Sequence, residues 1–240
     1  MWKQAKWWLP IVIVIGLTPF YPWLDLKLAH HFYMDSGAEV PHFVNNSPVC
    51  DLFFRFGCWP GLALGIIAAI IFSLSFFIKR WALWRAPSLT IVLTLIVGAG
   101  LIVNTLFKEH WGRPRPRQLT EFAGTEQYRS YYVPHINDGS EPFHSFPSGH
   151  VSMGFFFLVL CRVGLRQKSK TLFFSGAALT LFFGLGLSFA RIAQGAHFLS
   201  DALFSALFMW LTALAMEALA YSKLSTRLLD AKKGLWKKDQ

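Results

Sequence analysis

Apolar residues in this chain come in long unbroken runs rather than in the alternating or one-faced patterns of a soluble fold. Cys58–Ile78, Ala86–Phe107 and Thr171–Ala190 hold no Asp, Glu, Lys or Arg. Each is about 20 residues long, enough to cross a hydrocarbon core of about 30 Å at helical rise. Three further runs are less clean. Trp7–Leu24 carries Pro10, Pro19 and Pro22, which membrane helices accept more readily than soluble ones. Ser148–Leu165 is apolar as far as Cys161, with Arg162 and Arg166 placed to snorkel at its far end. Phe198–Tyr221 is interrupted by Asp201 and Glu217, one near each end. The pattern predicts an all-α polytopic membrane bundle of about six transmembrane helices, built as one domain over residues 1–240. Lys3 and Lys6 before the first run give it the look of a signal peptide, but "FYPWLDLKLAHH" offers no small-x-small cleavage site, so it reads as a retained anchor.

Composition agrees. The 240 residues are 54% hydrophobic and 15% charged, with a mean hydropathy of +0.40, too little charge to coat a soluble domain of this size. The net charge of +10 is unevenly spread. Fifteen of the 23 basic residues fall at the N-terminus, in the segments after the second and fourth spans, and in the tail 222–240. Six spans and this bias place both termini in the cytoplasm. The basic collar then faces anionic lipid head groups, and no nucleic-acid partner is implied. Cys50 and Cys58 fall on the opposite side, where a disulfide is permitted but not required. No Cys/His spacing reads as a metal site.

Chemistry concentrates on the outward side. The longest polar segment, 108–147, opens "KEHWGRPRPRQ". Pro114 and Pro116 stiffen the chain around Arg115, which suits capture of a phosphate by Arg115 and Lys108. "PSGH" (Pro147 to His150) then opens the fourth span. By itself it suits a plain capped helix start, with Pro147 in the first turn. It equally suits an anion seat, with Ser148 and the bare Gly149 backbone as donors and His150 as a proton carrier. "ARIAQGAHFLSD" joins the fifth span to the sixth. Arg191 closes one, and His197 opens the other with Asp201 at i+4 on the same face. A carboxylate there can hold the imidazole Nδ1–H and leave Nε2 nucleophilic. Ionisable groups at a membrane boundary are costly, which favours function over accident. All eight residues lie at outward helix ends or in outward loops, so the sequence predicts one shared site.

These stretches resemble the three motifs of the type 2 phosphatidic acid phosphatase superfamily: Lys-x6-Arg-Pro, Pro-Ser-Gly-His and Ser-Arg-x5-His-x3-Asp. The spacing fits throughout, and the departure is Ala190 where the family carries Ser. The resemblance covers residues 62–220. It implies that His197 attacks phosphorus to form a phosphohistidine and that Asp201 orients it. His150 would protonate the leaving oxygen, and Lys108, Arg115, Ser148, Gly149 and Arg191 would bind the phosphate oxygens. It implies chemistry without metal or other cofactor. Arg113, in the second "RP", has at most a secondary role.

A site at an outward rim meets lipid head groups, so the expected substrate is a lipid with a terminal phosphate at the periplasmic face of a bacterial inner membrane. Phosphatidylglycerophosphate, undecaprenyl pyrophosphate and lipid A are the candidates. "TEFAGT" after the Arg-Pro resembles loops of lipid A phosphatases, and the loop 117–146 is expected to select among substrates by covering the site; His110, His135 and His144, in or near it, read as solvated loop histidines with substrate contact as the alternative. Trp111, Tyr128, Tyr131 and Tyr132 are expected at the membrane interface. Two alternatives stay open: a phosphotransferase passing the phosphoryl group to a lipid acceptor, and a non-enzymatic transporter or scaffold with an idle site. Oligomeric state is not legible.

Overall fold

The computed structural model describes residues 2–34, 42–44, 47–135 and 143–236. Residues 136–142 of the loop and the basic side chains of the tail lie outside the described residues. The six expected spans are all present, as helices long and apolar enough to cross a membrane, and no strand interrupts them among the described residues.

Most spans are jointed. The first is α1 (Trp2–Gly16) and α2 (Tyr21–Met34), separated by a tight 3-10 turn at Thr18–Phe20 that contains Pro19. The second is α3 (Pro48–Phe56) and α4 (Trp59–Leu74). The third runs through a 3-10 segment (Lys79–Trp84), α5 (Arg85–Leu93) and a wide π-helical stretch (Thr94–Lys108). The fourth is α6 (Gly149–Phe155) and α7 (Leu158–Gln167). The fifth is α8 (Lys170–Thr180), a π turn and α9 (Gly186–Ala193). The sixth lies in α10 (Leu199–Trp236).

Two spans are longer than the apolar pattern suggested, for one physical reason. The first extends to Tyr33 and includes Asp25; the second begins at Pro48 and includes Asp51. Both carboxylates face protein rather than lipid: Asp25 is 1% exposed, and Asp51 lines a cavity. Burial against a partner removes the penalty that makes an acid look like a span breaker. The same logic corrects Arg162. It does not snorkel but turns inward, donating Nε–H to Glu217 Oε2 at 2.8 Å, while Arg166 lies over the Tyr221 ring.

A core of Ala68, Ile91, Phe156, Phe157, Val163 and Met209 ties the middle of the bundle together. A second cluster gathers around Tyr21, Phe146, Phe204 and Leu207. Trp111 and Tyr131 pack against it, and Tyr132 is exposed. The three cysteines are free, so the Cys50–Cys58 bridge is not formed.

α3 and α9 approach closely because Gly186 lacks a side chain. A Cβ there would lie 2.4 Å from the Phe53 ring, nearer than atoms pack. Ala190 fills this seam with Cys50 and Ala193, so the position where the family carries Ser is here an apolar contact.

Candidate active site

At one end of the bundle a cavity of about 360 Å³ is lined by Lys108, Arg115, Arg117, His150, Arg191 and His197, with Asp51, Phe54 and Gln194. It takes one residue or more from each of the three sequence motifs. Lys108 ends the π-helical stretch, and its carbonyl accepts from His144 Nδ1 at 2.7 Å. Arg115 sits extended between its two prolines (φ −85°, ψ 156°). Its N–H donates to Gln118 Oε1 at 2.8 Å, and the Arg117 N–H docks on the Gly195 carbonyl at 3.0 Å. The polar loop is thus fastened to the turn that carries His197. Burial lowers the Arg115 pKa, and Arg117 beside it adds to the shift; the guanidinium nevertheless stays charged.

Ser148 and Gly149 stand behind the cavity wall. Ser148 is fully buried, and its Oγ accepts the Val151 N–H at 3.4 Å as an N-cap. Pro147 therefore precedes the cap and is not a first-turn residue as the sequence suggested, because Ser148 takes the extended cap conformation (φ −83°, ψ 114°). At Gly149 a Cβ would lie 2.5 Å from Asn104 Oδ1 and 3.4 Å from Lys108 Nζ. Only glycine lets the start of α6 lie this close to the Lys108 side chain.

Arg191 is 7% exposed. Its Nη1 donates to Gln194 Oε1 at 2.8 Å, and its Nε is buried with no hydrogen-bond partner among the described residues. A buried guanidinium N–H without an acceptor, on a residue that lines the cavity, is chemically suited to donate to an anion.

His197 is 2% exposed. Its Nδ1 lies 2.7 Å from the Ser145 carbonyl. A carbonyl can only accept, so Nδ1 carries the proton and Nε2 keeps the lone pair. The sequence had given the Nδ1–H to Asp201. In the structure Asp201 Oδ2 is 3.6 Å from Nδ1, while Asp201 accepts the Ser145 hydroxyl at 2.6 Å, the Phe198 N–H at 2.8 Å and the Arg113 guanidinium. Asp201 thus fixes the Ser145 segment and the start of α10, and Ser145 fixes the tautomer. Burial lowers the His197 pKa to about 4; the Asp201 carboxylate opposes the shift, and Arg191 and Arg115 add to it. The imidazole is neutral at pH 7.

Arg113 has a larger part than the sequence suggested. It is fully buried and pairs with Asp201 and, at 2.9 Å, with Asp25 Oδ2. It also donates to Ser200 Oγ at 2.8 Å and to the Arg129 carbonyl at 2.8 Å, and it lies over the Phe198 ring. Burial works against its charge, but Asp201 and Asp25 overcome this and hold its pKa above the ordinary value. Tyr128 donates to Asp25 Oδ2 at 3.1 Å, so it belongs to this brace. Of the loop histidines, His144 supports Lys108, and His110 Nδ1 meets the carbonyls of Thr105 and Leu106. Asp25, just past the apolar run that ends at Leu24, left no clear signal in the sequence. Ser145 left none either.

A membrane bundle that gathers two imidazoles and four cations around one cavity has the composition of a phosphoryl-transfer enzyme. The chain belongs to the PAP2 superfamily, whose sequence profile matches residues 87–224. It is 33% identical over 225 residues to the lipid A 4'-phosphatase of Francisella tularensis subsp. novicida, covering 88% of this chain and 96% of that protein. It is 26% identical over 231 residues to the lipid A 4'-phosphatase of Rhizobium leguminosarum, covering 88% and 90%. A third relative, the lipid A 4'-phosphatase of Rhizobium etli, is 32% identical over 141 residues. No solved structure gives a significant match. The protein is a lipid phosphatase, a multi-pass hydrolase of a bacterial membrane acting on a lipid substrate in the bilayer.

Proposed function

We propose that the protein removes a phosphate monoester from a lipid A-type glycolipid at the periplasmic face of the inner membrane, through a phosphohistidine on His197. The observation that carries the chemistry is the fixed His197 tautomer, with Nδ1–H on Ser145 and a neutral imidazole in a wall of cations. Nε2 attacks phosphorus as the bond to the lipid oxygen breaks, and His150 gives that oxygen its proton. Water then attacks the phosphohistidine, His150 takes a proton from it, the N–P bond breaks and inorganic phosphate leaves. Lys108, Arg115 and Arg191 hold the equatorial oxygens, where charge builds in the transition state. These fixed cations supply what a metal ion would otherwise supply. Ser148 and Gly149 support the wall from behind. The substrate class is supported by the names of relatives matched over nearly their whole length, and the orientation by the basic collar.

The test is phosphate release by the purified chain from lipid A, phosphatidylglycerophosphate and undecaprenyl pyrophosphate in excess EDTA. Turnover of lipid A should exceed the others by at least about tenfold, unaffected by the chelator. Preference for the pyrophosphate, or dependence on added Mg²⁺, would contradict the reading.

His150→Ala should lower turnover of a long-chain alkyl phosphate by about 10²–10⁴-fold. The matching alkylphenyl phosphate, whose leaving oxygen needs little protonation, should lose far less. An equal loss on both would remove His150 from the role of acid.

A further inference from the structure

The matched family segment begins at residue 87, yet α3, at residues 48–56, reaches the cavity with Asp51 and Phe54. The three motifs say nothing about either. The Phe54 ring stacks on the His150 imidazole, centroids 5.1 Å apart and planes 30° from parallel. The Arg191 guanidinium lies over the same ring, 4.5 Å from its centroid. One residue thus touches the proposed proton donor and a proposed phosphate clamp, which arrive on α6 and α9. One turn earlier on α3, Asp51 Oδ1 accepts from Gln194 Nε2 at 3.3 Å, and Gln194 in turn holds Arg191.

The placement of α3 is tightly specified. Ser47 caps it through the Cys50 N–H, Cys50 packs on Ala190 and Ala193, and Gly186 admits the neighbouring Phe53 ring. Phe54 itself is 41% exposed, so its ring is not there to fill the core. A flat face beside an imidazole limits rotation about both side-chain bonds, and an aromatic face attracts a guanidinium that lacks its full set of hydrogen bonds.

We propose that Phe54 is a positioning residue, whose ring sets the orientation of His150 for proton transfer and of Arg191 for phosphate binding. This rests on His150 being the acid of the reaction. Misplacing a proton donor by about 1 Å can cost about 100-fold, so the effect belongs in kcat and depends on the leaving group.

The experiment uses the full chain and compares a long-chain alkyl phosphate with the matching alkylphenyl phosphate. Phe54→Leu should lower kcat on the alkyl ester by about 10–100-fold and on the phenyl ester by no more than about threefold. Phe54→Trp, which restores a flat ring, should recover most of the loss. Unchanged thermal unfolding shows that Leu is tolerated; if it is not, Phe54→Met takes its place. Full activity of the Leu variant, equal loss on both esters, or no rescue by Trp overturns the proposal while leaving the phosphatase reading intact. If His150→Ala itself shows no leaving-group dependence, the assignment of His150 falls and this proposal falls with it.

Discussion

Replacing His197 with alanine should lower phosphate release from every lipid substrate by at least about 10⁴-fold, while the protein still folds and inserts. The size follows from the proposed covalent route. Without Nε2 no N–P bond forms, and what remains is positioning of the phosphate by Lys108, Arg115 and Arg191. Those residues do not depend on His197 for their place: Arg115 is held by Gln118 and Arg191 by Gln194. The variant should therefore still bind inorganic phosphate. Its structural cost is one unmatched Ser145 carbonyl, about 1–3 kcal/mol. Activity within tenfold of wild type would refute the assignment of His197. The pH dependence adds a second check. With the pKa lowered to about 4, the nucleophile stays unprotonated well below the usual histidine range, so the acid limb of kcat/KM that belongs to His197 lies nearer pH 4 than 6.5. Stability follows the same sign. The unfolded chain takes up this proton first, so the group's contribution is whole above pH 6.5 and is lost as pH falls toward 4.

Arg113→Ala should destabilise the protein by about 3–5 kcal/mol, from a total of only about 5–15 kcal/mol, and activity should fall with it. The guanidinium has no exposure, and its removal strands Asp25 and Asp201 beside each other without a countercharge. Lysine cannot repair this, because a single ammonium cannot span both carboxylates and still reach Ser200 and the Arg129 carbonyl. Adding Asp25→Asn to Arg113→Ala should recover part of the loss, since one of the two stranded charges is gone. Thermal unfolding in detergent reads both variants, and a loss of less than about 1 kcal/mol for Arg113→Ala would show that the brace does not hold the fold.

The contrast between Arg113 and Arg115 shows what the sequence could and could not reveal. Lys108, Arg115, Arg191, His150 and His197 were legible because their spacing is tied to helix ends, and helix ends follow from the apolar runs. Their convergence on one cavity needed only the topology of the spans. Arg113, two residues from Arg115 in an almost repeated "RPRP", faces the opposite way, into the protein. Its partners Asp25 and Asp201 stand 88 residues away in either direction, beyond the reach of any local pattern. The role of Asp201 was misread for a related reason. The i+4 spacing correctly put it beside His197, but Ser145, brought in by the pairing of Arg113 with the segment before the fourth span, takes the Nδ1–H. Asp25 and Asp51 shortened two spans in the sequence because a hydropathy pattern treats every acid as facing lipid.

The Asp25–Arg113–Asp201 brace also dictates an order of events during synthesis. Asp25 enters the bilayer with the first span, when its cation has not yet been made and its second carboxylate neighbour is far from the ribosome. The two ends of the chain meet at Arg113 only after the sixth span has been inserted, when Ser200 also donates to Asp25. Until then Asp25 lacks the partners it has in the folded chain. Completion of the brace therefore waits on the sixth span, which brings Ser200 and Asp201 to Arg113 and Asp25.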